Sequence, residues 1–425
     1  MRALVFAFLF GGILAPSLHA IPNAFFGNGN AIPIIPAFPR FNADLTEEFL
    51  DEKAWKVGEF SGPWADEPSL PDLTVRRMTA NPVVLGEVPM SVVAYGDGSE
   101  TTEIAVHFLD AGLYFGYRAG GESDREQREE GRARRTEFAR HFKKLSETIE
   151  ERLEEGCGRG EDAMLGRHPM LRTPYTEYRW EDFVLRLVRR EDHSVSLHIY
   201  RSGTEPRSIV TKSWSGSDRR DRQALLKEHV SESASGVLRV EGLPMFTQGM
   251  TPFCGIHSLA IVGHHIGLRT SAEALAAAAD FKNTGSAGGS DLVGLHQAVA
   301  DELDMRVGIS PKWNLDRVES SIEQGLPVIV WRRVSMEREK LHAEVARRIH
   351  RGEAVELSPL TDEEREDLPE KGAKGSPSHA SVITGIDEEA GIVYYMEPWG
   401  EVGRHRQMRV EELEATAYAV FHFRL

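Results

Sequence analysis

The sequence predicts an α+β protein, in which helices and antiparallel strands come mostly from separate stretches of the chain. A long charged segment with apolar residues three and four positions apart predicts one long helix in the first half. Runs that alternate apolar and polar residues on both sides of it predict antiparallel strands. In the second half, helix patterns precede most of the strand patterns, and this order favours a helical layer packed against an antiparallel sheet.

The length of 425 residues predicts two or three domains. We divide the chain where its composition changes, into a signal peptide at 1–20, an extended lead-in at 21–71, a small N-terminal α+β domain of unknown role at 72–236, and a C-terminal domain at 237–425 with an insertion at about 337–376. The polar segment 213–236 is interpreted as the linker between the two domains. We therefore expect each domain to fold separately and a protease to cut this linker first.

The first 20 residues have the composition of a secretory signal peptide. Arg2 precedes an apolar run, and a small residue, Ala20, stands at the expected cleavage site. The run is too short to span a membrane as a helix. A cleavable signal predicts a secreted or periplasmic protein without a membrane span in the mature chain, and an N-terminal membrane anchor is the alternative.

In the N-terminal domain we predict strands before and after one long helix. The helix, at about 124–155, carries its apolar residues on a single stripe, namely Phe138, Phe142, Leu145, Ile149 and Leu153. Strands are predicted at 82–85, 90–95, 103–109, 180–189 and 194–200. We predict no group of catalytic residues in this domain.

The C-terminal domain begins with four predicted helices. The first opens at Cys254 and ends at Gly267, which suits a left-handed cap. The second begins at the capping-box sequence from Thr270 to Glu273, and the other two begin at Ser290 and Asn314. Strands are predicted at 327–331, 380–386, 392–396 and 417–423.

The net charge and the number of cysteines limit which partners and which covalent links the chain is expected to have. A net charge of −16 disfavours binding to nucleic acid and anionic membranes, and it suits basic or neutral peptides better. The two cysteines, Cys157 and Cys254, do not amount to a disulfide framework, so both are interpreted as free thiols. Cys157 lies in a Gly-rich stretch and is interpreted as an incidental thiol.

Cys254 is the candidate nucleophile. It follows Pro252 and opens an apolar helix, where the helix dipole and unpaired backbone N–H groups stabilise a thiolate. The alternative is a buried structural thiol. His379 begins a later strand and Glu397 ends the next one, so the chain holds a cysteine, a histidine and a polar residue in the order of a nucleophile, a base and an orienting group.

These residues resemble the papain-like cysteine peptidases, in particular the branch of bacteriocin-processing (double-glycine leader) peptidases. The resemblance covers roughly residues 241–425 and implies a papain-like fold there. It also implies that Cys254 attacks the substrate, that His379 is the base, and that Gln248 donates to the oxyanion. The pair Trp399-Gly400 matches as well. Glu397 departs from the family, which usually has Asn or Asp at this position, and its side chain is one methylene longer.

The expected function is that of a secreted or periplasmic cysteine peptidase that acts on peptides or proteins and needs neither a cofactor nor a metal. His257, His264 and His265 show no zinc-binding pattern and are interpreted as packing or surface residues. Two alternatives stay open. One is a catalytically inactive binding or inhibitory protein on the same scaffold, which Glu397 favours. The other is a transamidase or acyltransferase that uses the same site.

Overall fold

The computed structural model describes residues 40–67, 70, 73–116, 125–234, 236–249, 251–281, 292–371 and 377–425. The predicted signal peptide at 1–20 and much of the lead-in lie outside these residues, as does the predicted cap Ser290. In the part of the chain that is described, no helix is long and apolar enough to cross a membrane. The α+β fold class is confirmed, because helices and antiparallel sheets both contribute cores.

The first half of the chain contains these described elements: β1 Arg40–Asp44, α1 Thr46–Phe49, α2 Glu52–Val57, β2 Trp64–Asp66, β3 Thr74–Met78, β4 Asn81–Val83, β5 Ser91–Gly96, β6 Thr101–Asp110, α3 Ala111–Phe115, α4 Arg125–Cys157, β7 Glu161–Leu165, β8 Thr173–Trp180, β9 Phe183–Arg190 and β10 Ser194–Arg201. An antiparallel sheet runs in the order β2-β3-β5-β6-β10-β9-β8-β7, and β1 pairs with β4. The sequence did not predict β7, and most of β8 was also missed.

The two faces of this first sheet differ in polarity, because successive side chains of a strand point to opposite sides. Ile104 and Val106 of β6 and Leu197 of β10 belong to an apolar core that also includes Phe138 and Ile149 of α4. The opposite face, called here the polar sheet face, turns toward the second half of the chain and carries Arg77, Tyr95, Glu103, His107 and His198.

The second half contains these described elements: α5 Lys212–Ser215, α6 Arg219–Lys227, β11 Val230–Glu232, β12 Leu238–Val240, α7 Cys254–His265, α8 Ala272–Ala278, α9 Leu292–Glu302, β13 Arg306–Ser310, α10 Leu315–Glu323, β14 Val328–Arg333, α11 Met336–His350, α12 Asp362–Glu366, β15 Ser378–Asp387, β16 Ile392–Met396, β17 Arg406–Arg409, α13 Val410–Thr416 and β18 Ala417–Arg424. A second sheet runs in the order β11-β12-β15-β14-β18-β13, and β16 joins β15 to β17.

Helix α7 lies against the second sheet and carries Cys254 at its first position. The Ser258 hydroxyl of α7 donates to the carbonyl oxygen of Ala380 in β15 at 3.2 Å. Gly255 is buried, and a Cβ atom at that position would collide with the indole ring of Trp331 in β14. In the structure this glycine lets the helix approach the sheet closely.

The segment predicted as a linker, 213–236, is packed rather than free. Trp214 is buried in the core of the second half, and its indole N–H donates to the carbonyl oxygen of Leu303 at 3.0 Å. Arg222 donates to the same oxygen at 2.9 Å. The exposed loop between the two halves comes earlier, at 202–208, where most residues are accessible to solvent. The division into separately folding domains stays a prediction.

The capping box predicted at Thr270 to Glu273 is wrong in its register. Ser271 caps α8, because its hydroxyl accepts from the backbone N–H of Ala274 at 3.2 Å. Glu273 is therefore the second residue of the helix, and its carboxylate lines a cavity instead of reaching back to the cap. Asn314 caps α10 as predicted, through a bond from the N–H of Arg317 at 2.9 Å.

Candidate active site

Cys254 stands at the N-terminus of α7 with its thiol free and half-buried. The preceding residue, Phe253, is the cap position and makes no side-chain capping bond. The first N–H groups of a helix have no partner within it, so they and the dipole favour negative charge near this sulfur. Cys157 is also free, and it lies at the last position of α4.

His379 of β15 connects Cys254 to Glu397. Its Nε2 atom lies 2.6 Å from Oε2 of Glu397, and the ring is also hydrogen-bonded to the Cys254 side chain. Since Nε2 contacts Glu397, the ring nitrogen that contacts the sulfur is Nδ1. Burial alone would lower the pKa of His379, but Glu397 and Cys254 outweigh that effect and raise the pKa to about 10. The imidazole is therefore protonated at neutral pH.

The indole of Trp399 covers this pair. Its ring centroid lies 4.8 Å from that of His379, and the side chain of Trp399 is 2 % exposed. A ring in this position keeps water from the bond between His379 and Glu397, and hydrogen bonds between charged groups are stronger when water is excluded.

Glu397 follows β16 directly and is fully buried, with both of its carboxylate oxygens engaged. Oε2 contacts His379, and Oε1 accepts from the Ser381 hydroxyl at 2.7 Å and from Nη2 of Arg332 at 3.0 Å. Burial would raise the pKa of Glu397, but His379 and Arg332 lower it, so the group is a carboxylate. The longer Glu side chain thus spans from the imidazole to an arginine.

Gln248 is buried in the turn that precedes α7. Its backbone N–H donates to the carbonyl oxygen of Pro398 at 2.9 Å, which ties it to the segment that carries Glu397. Its side-chain amide donates to the carbonyl oxygen of Thr251 at 3.1 Å and keeps a second N–H. Its Oε1 has no hydrogen-bond partner among the described residues.

Of the four predicted site residues, Cys254, His379 and Glu397 form one hydrogen-bonded chain, and Gln248 is joined to the backbone next to Glu397. The sequence analysis missed Arg332 and Ser381, which hold the far side of Glu397. Arg332 pairs directly with His379 across β14 and β15. Arg332 could have been identified from the sequence as an arginine at the end of a buried apolar strand, because a buried charge needs a partner.

The arginine contacts continue into a buried network through the predicted insertion. Glu339 of α11 accepts from Arg332 at 2.7 Å and from Arg406 at 2.7 Å. His342, one turn further along α11, contacts the hydroxyl of Tyr395 at 2.9 Å and Glu412 at 3.2 Å. Each carboxylate has at least one cationic or hydroxyl partner, which is the condition under which buried charges are tolerated. The network fixes Glu397 beneath His379.

The three histidines of α7 contact other groups. His257 Nδ1 lies 3.1 Å from the carbonyl oxygen of Phe246, and His265 Nε2 lies 2.7 Å from that of Gly325. Burial lowers the pKa of His264 well below its ordinary value. Across the described residues, no group of three or more His, Cys, Asp or Glu side chains is placed to hold a metal ion.

Comparison with known proteins addresses the second half of the chain. Residues 240–424 match the Peptidase C39 like family. The resemblance drawn from the sequence is thereby confirmed, and these residues are similar to a peptidase family. A C39-like peptidase from Bacillus anthracis is 18 % identical to this chain, covering 40 % of it and 88 % of that chain with a TM-score of 0.26. No curated protein matches the chain.

Proposed function

We propose that this protein is a cysteine peptidase that hydrolyses peptide bonds with Cys254 as nucleophile, His379 as acid and base, and Glu397 as the orienting group. The observation that carries the proposal is the chain of contacts from Cys254 through His379 to Glu397, at 2.6 Å for the last step. The match of residues 240–424 to a peptidase family supports the same reaction class.

In the proposed reaction, the sulfur of Cys254 attacks the carbonyl carbon of the scissile bond as a thiolate, and the carbonyl electron pair moves to its oxygen. The second amide N–H of Gln248, together with the backbone N–H of Cys254, is proposed to donate to that oxygen. When the tetrahedral intermediate collapses, the C–N bond breaks and protonated His379 gives its proton to the leaving amine. An acyl group remains on the sulfur.

Water completes the cycle. Neutral His379 takes a proton from a water molecule, the hydroxide attacks the thioester carbon, and the C–S bond breaks to release the carboxylic acid. The thiolate and the imidazolium are then restored. Glu397 stays ionised throughout, and its role is to hold the ring of His379 and to stabilise its positive charge.

The carboxylate of Glu397 favours an active site over a decayed one. A scaffold retained only for binding has no need to bury a charged triad, yet here Glu397 is 0 % exposed and has three partners. Transfer to an amine instead of water uses the same acyl-enzyme and stays open as the second outcome of the test. We further propose export of the protein, on the basis of the signal-like first 20 residues.

The test is incubation with a mixed peptide library, with and without an added primary amine, followed by mass spectrometry. Hydrolysis predicts new free carboxyl ends in both samples. Amidated ends that dominate when the amine is present would identify a transferase. If no peptide is altered in either sample while Cys254 is intact and reduced, the enzymatic proposal fails. Mass spectrometry of the mature exported protein tests cleavage after Ala20.

A further inference from the structure

A cavity of about 390 Å³ lies between the two halves of the molecule. Its floor is the polar sheet face of the first half, with His107 among the lining residues. The second half closes it with His257 and His264 of α7 and with the start of α8, including Glu273. Cys254 and His379 are not among the described residues that line it. The volume is in the range of small-molecule binding sites.

Glu273 offers its carboxylate to this cavity, where its own backbone N–H is a donor to it. No described side chain forms a hydrogen bond or ion pair with it. Burial would raise the pKa of Glu273, but His107, His257 and Arg77 outweigh that effect and lower the pKa to about 2. The group is therefore an anion at neutral pH and only accepts hydrogen bonds.

His257 adds a second acceptor to the cavity. Its Nδ1 atom lies 3.1 Å from the carbonyl oxygen of Phe246, and a carbonyl can only accept, so Nδ1 carries the proton of this contact. Burial lowers the pKa of His257 to about 4, which makes the ring neutral at pH 7. Its Nε2 atom, which has no described partner, is then a lone-pair acceptor.

His107 supplies a third polar group, from β6 on the cavity floor. It is 2 % exposed, and neither of its ring nitrogens has a hydrogen-bond partner among the described residues. Burial lowers the pKa of His107, so one of these nitrogens is an acceptor at neutral pH. A buried side chain with both nitrogens unused is uncommon and calls for an explanation.

We propose that this cavity is a binding site for a protonated amine, which donates to the carboxylate of Glu273, to Nε2 of His257 and to one nitrogen of His107. An ammonium group has three N–H donors and no acceptor, which complements these three acceptors. Arg77, one of four arginines that line the cavity, is engaged elsewhere, because its Nε is bound to Glu67 at 3.0 Å and its Nη1 to Ser91 at 3.0 Å. The proposal does not depend on catalysis at Cys254.

Calorimetric titration of the full chain tests the proposal, with probes that separate a free amine from a peptide N-terminus. The probes are n-butylamine and Ala-Ala amide, and their uncharged counterparts are 1-butanol and N-acetyl-Ala-Ala amide. We expect at least one amine to bind and both uncharged counterparts to fail. The amine that binds more tightly shows whether the natural ligand is a free amine or a peptide N-terminus. Glu273→Gln should weaken binding about ten- to hundredfold, as loss of a hydrogen bond to a charged group does.

The matched control is Asp316→Asn. Asp316 is the exposed second residue of α10, just as Glu273 is the second residue of α8, so the control removes a first-turn acid that does not line the cavity. The affinity of the Asp316→Asn variant for the amine should equal that of the native protein. The proposal is overturned if neither amine binds in the millimolar range, if the uncharged compounds bind equally well, or if Glu273→Gln binds with native affinity.

Discussion

Two clusters of buried polar side chains flank α7, and they differ in how far their hydrogen bonds are satisfied. Beside Cys254, both oxygens of Glu397 and both of Glu339 have donors. In the cavity, neither ring nitrogen of His107 has a partner among the described residues, and no described side chain donates to Glu273. A fully bonded network holds its members in one geometry, which suits chemistry on a positioned sulfur. A cluster with free acceptors suits a ligand that supplies the donors.

The largest expected effect comes from Cys254→Ala. Peptide hydrolysis should fall by at least about a thousandfold, because no other group of the site replaces the sulfur. Binding of n-butylamine in the cavity should be unchanged, since Cys254 does not line it. The measurement pairs peptide turnover with calorimetry on the same preparation. Retained turnover would refute the assignment of the nucleophile, and lost amine binding would show that the two clusters are one site.

Arg332→Met tests whether the catalytic cluster is a bonded network. The change leaves Glu397 and Glu339 without a shared cation in a buried setting, and we expect the free energy of unfolding to fall by about 3–5 kcal/mol. The matched control is Arg333→Met, the next residue of β14, which is half-exposed and donates to the carbonyl oxygen of Lys371. Urea unfolding compares the two. Equal losses would mean that the network does not stabilise the fold.

Glu397→Gln measures the contribution of charge to the orienting group. An amide oxygen can still accept from His379, so turnover should fall less than in His379→Ala, for which a loss of about 10²–10⁴-fold is expected. The raised pKa keeps His379 protonated up to about pH 10 in the native protein, and the imidazolium is lost above that value. Removing the negative charge lowers this pKa, so the alkaline limb of kcat/KM should move to lower pH. An unmoved limb would contradict the assignment.

Limited proteolysis addresses the boundary between the halves and has the smallest expected effect. Trypsin should cut first after the exposed Arg207, in the loop 202–208, and later in the packed segment 213–236. Mass spectrometry of the early fragments shows which site is cut first. First cleavage within 213–236 would favour the boundary drawn from the sequence. Two separate unfolding transitions after cutting would support independent domains, whereas one cooperative transition would count against them.

The sequence predicted the triad because its members stand where elements begin or end. Cys254 opens α7, His379 lies at the start of β15, and Glu397 follows β16. Such positions can be inferred from apolar runs and their flanking residues. The partners of Glu397 could not be inferred in this way. Arg332 lies beside His379 only because of the register between two strands that are distant in the chain.

Predictions from local sequence patterns were wrong where tertiary packing determines the structure of a segment. The residues Thr270 to Glu273 satisfy the capping-box pattern, but the cap falls on Ser271 and Glu273 turns into the cavity. Strand β8 contains Pro174 and two charged residues, Glu177 and Arg179, and it forms because β7 and β9 lie on its two sides. The segment 213–236 is polar enough to suggest a linker, yet Trp214 and Arg222 anchor it through the carbonyl oxygen of Leu303.

The central claim is that His379 activates the sulfur of Cys254, and the rate of alkylation by iodoacetamide as a function of pH tests it most directly. Peptide mapping follows Cys254 and Cys157 separately, so Cys157 serves as the internal reference, a thiol whose pKa is raised by burial alone. We expect Cys254 to react below about pH 7 in the native protein, because the imidazolium beside it stabilises the thiolate. That reactivity should disappear in His379→Ala. If Cys254 instead follows the pH profile of Cys157 in both proteins, the account of the active site is contradicted.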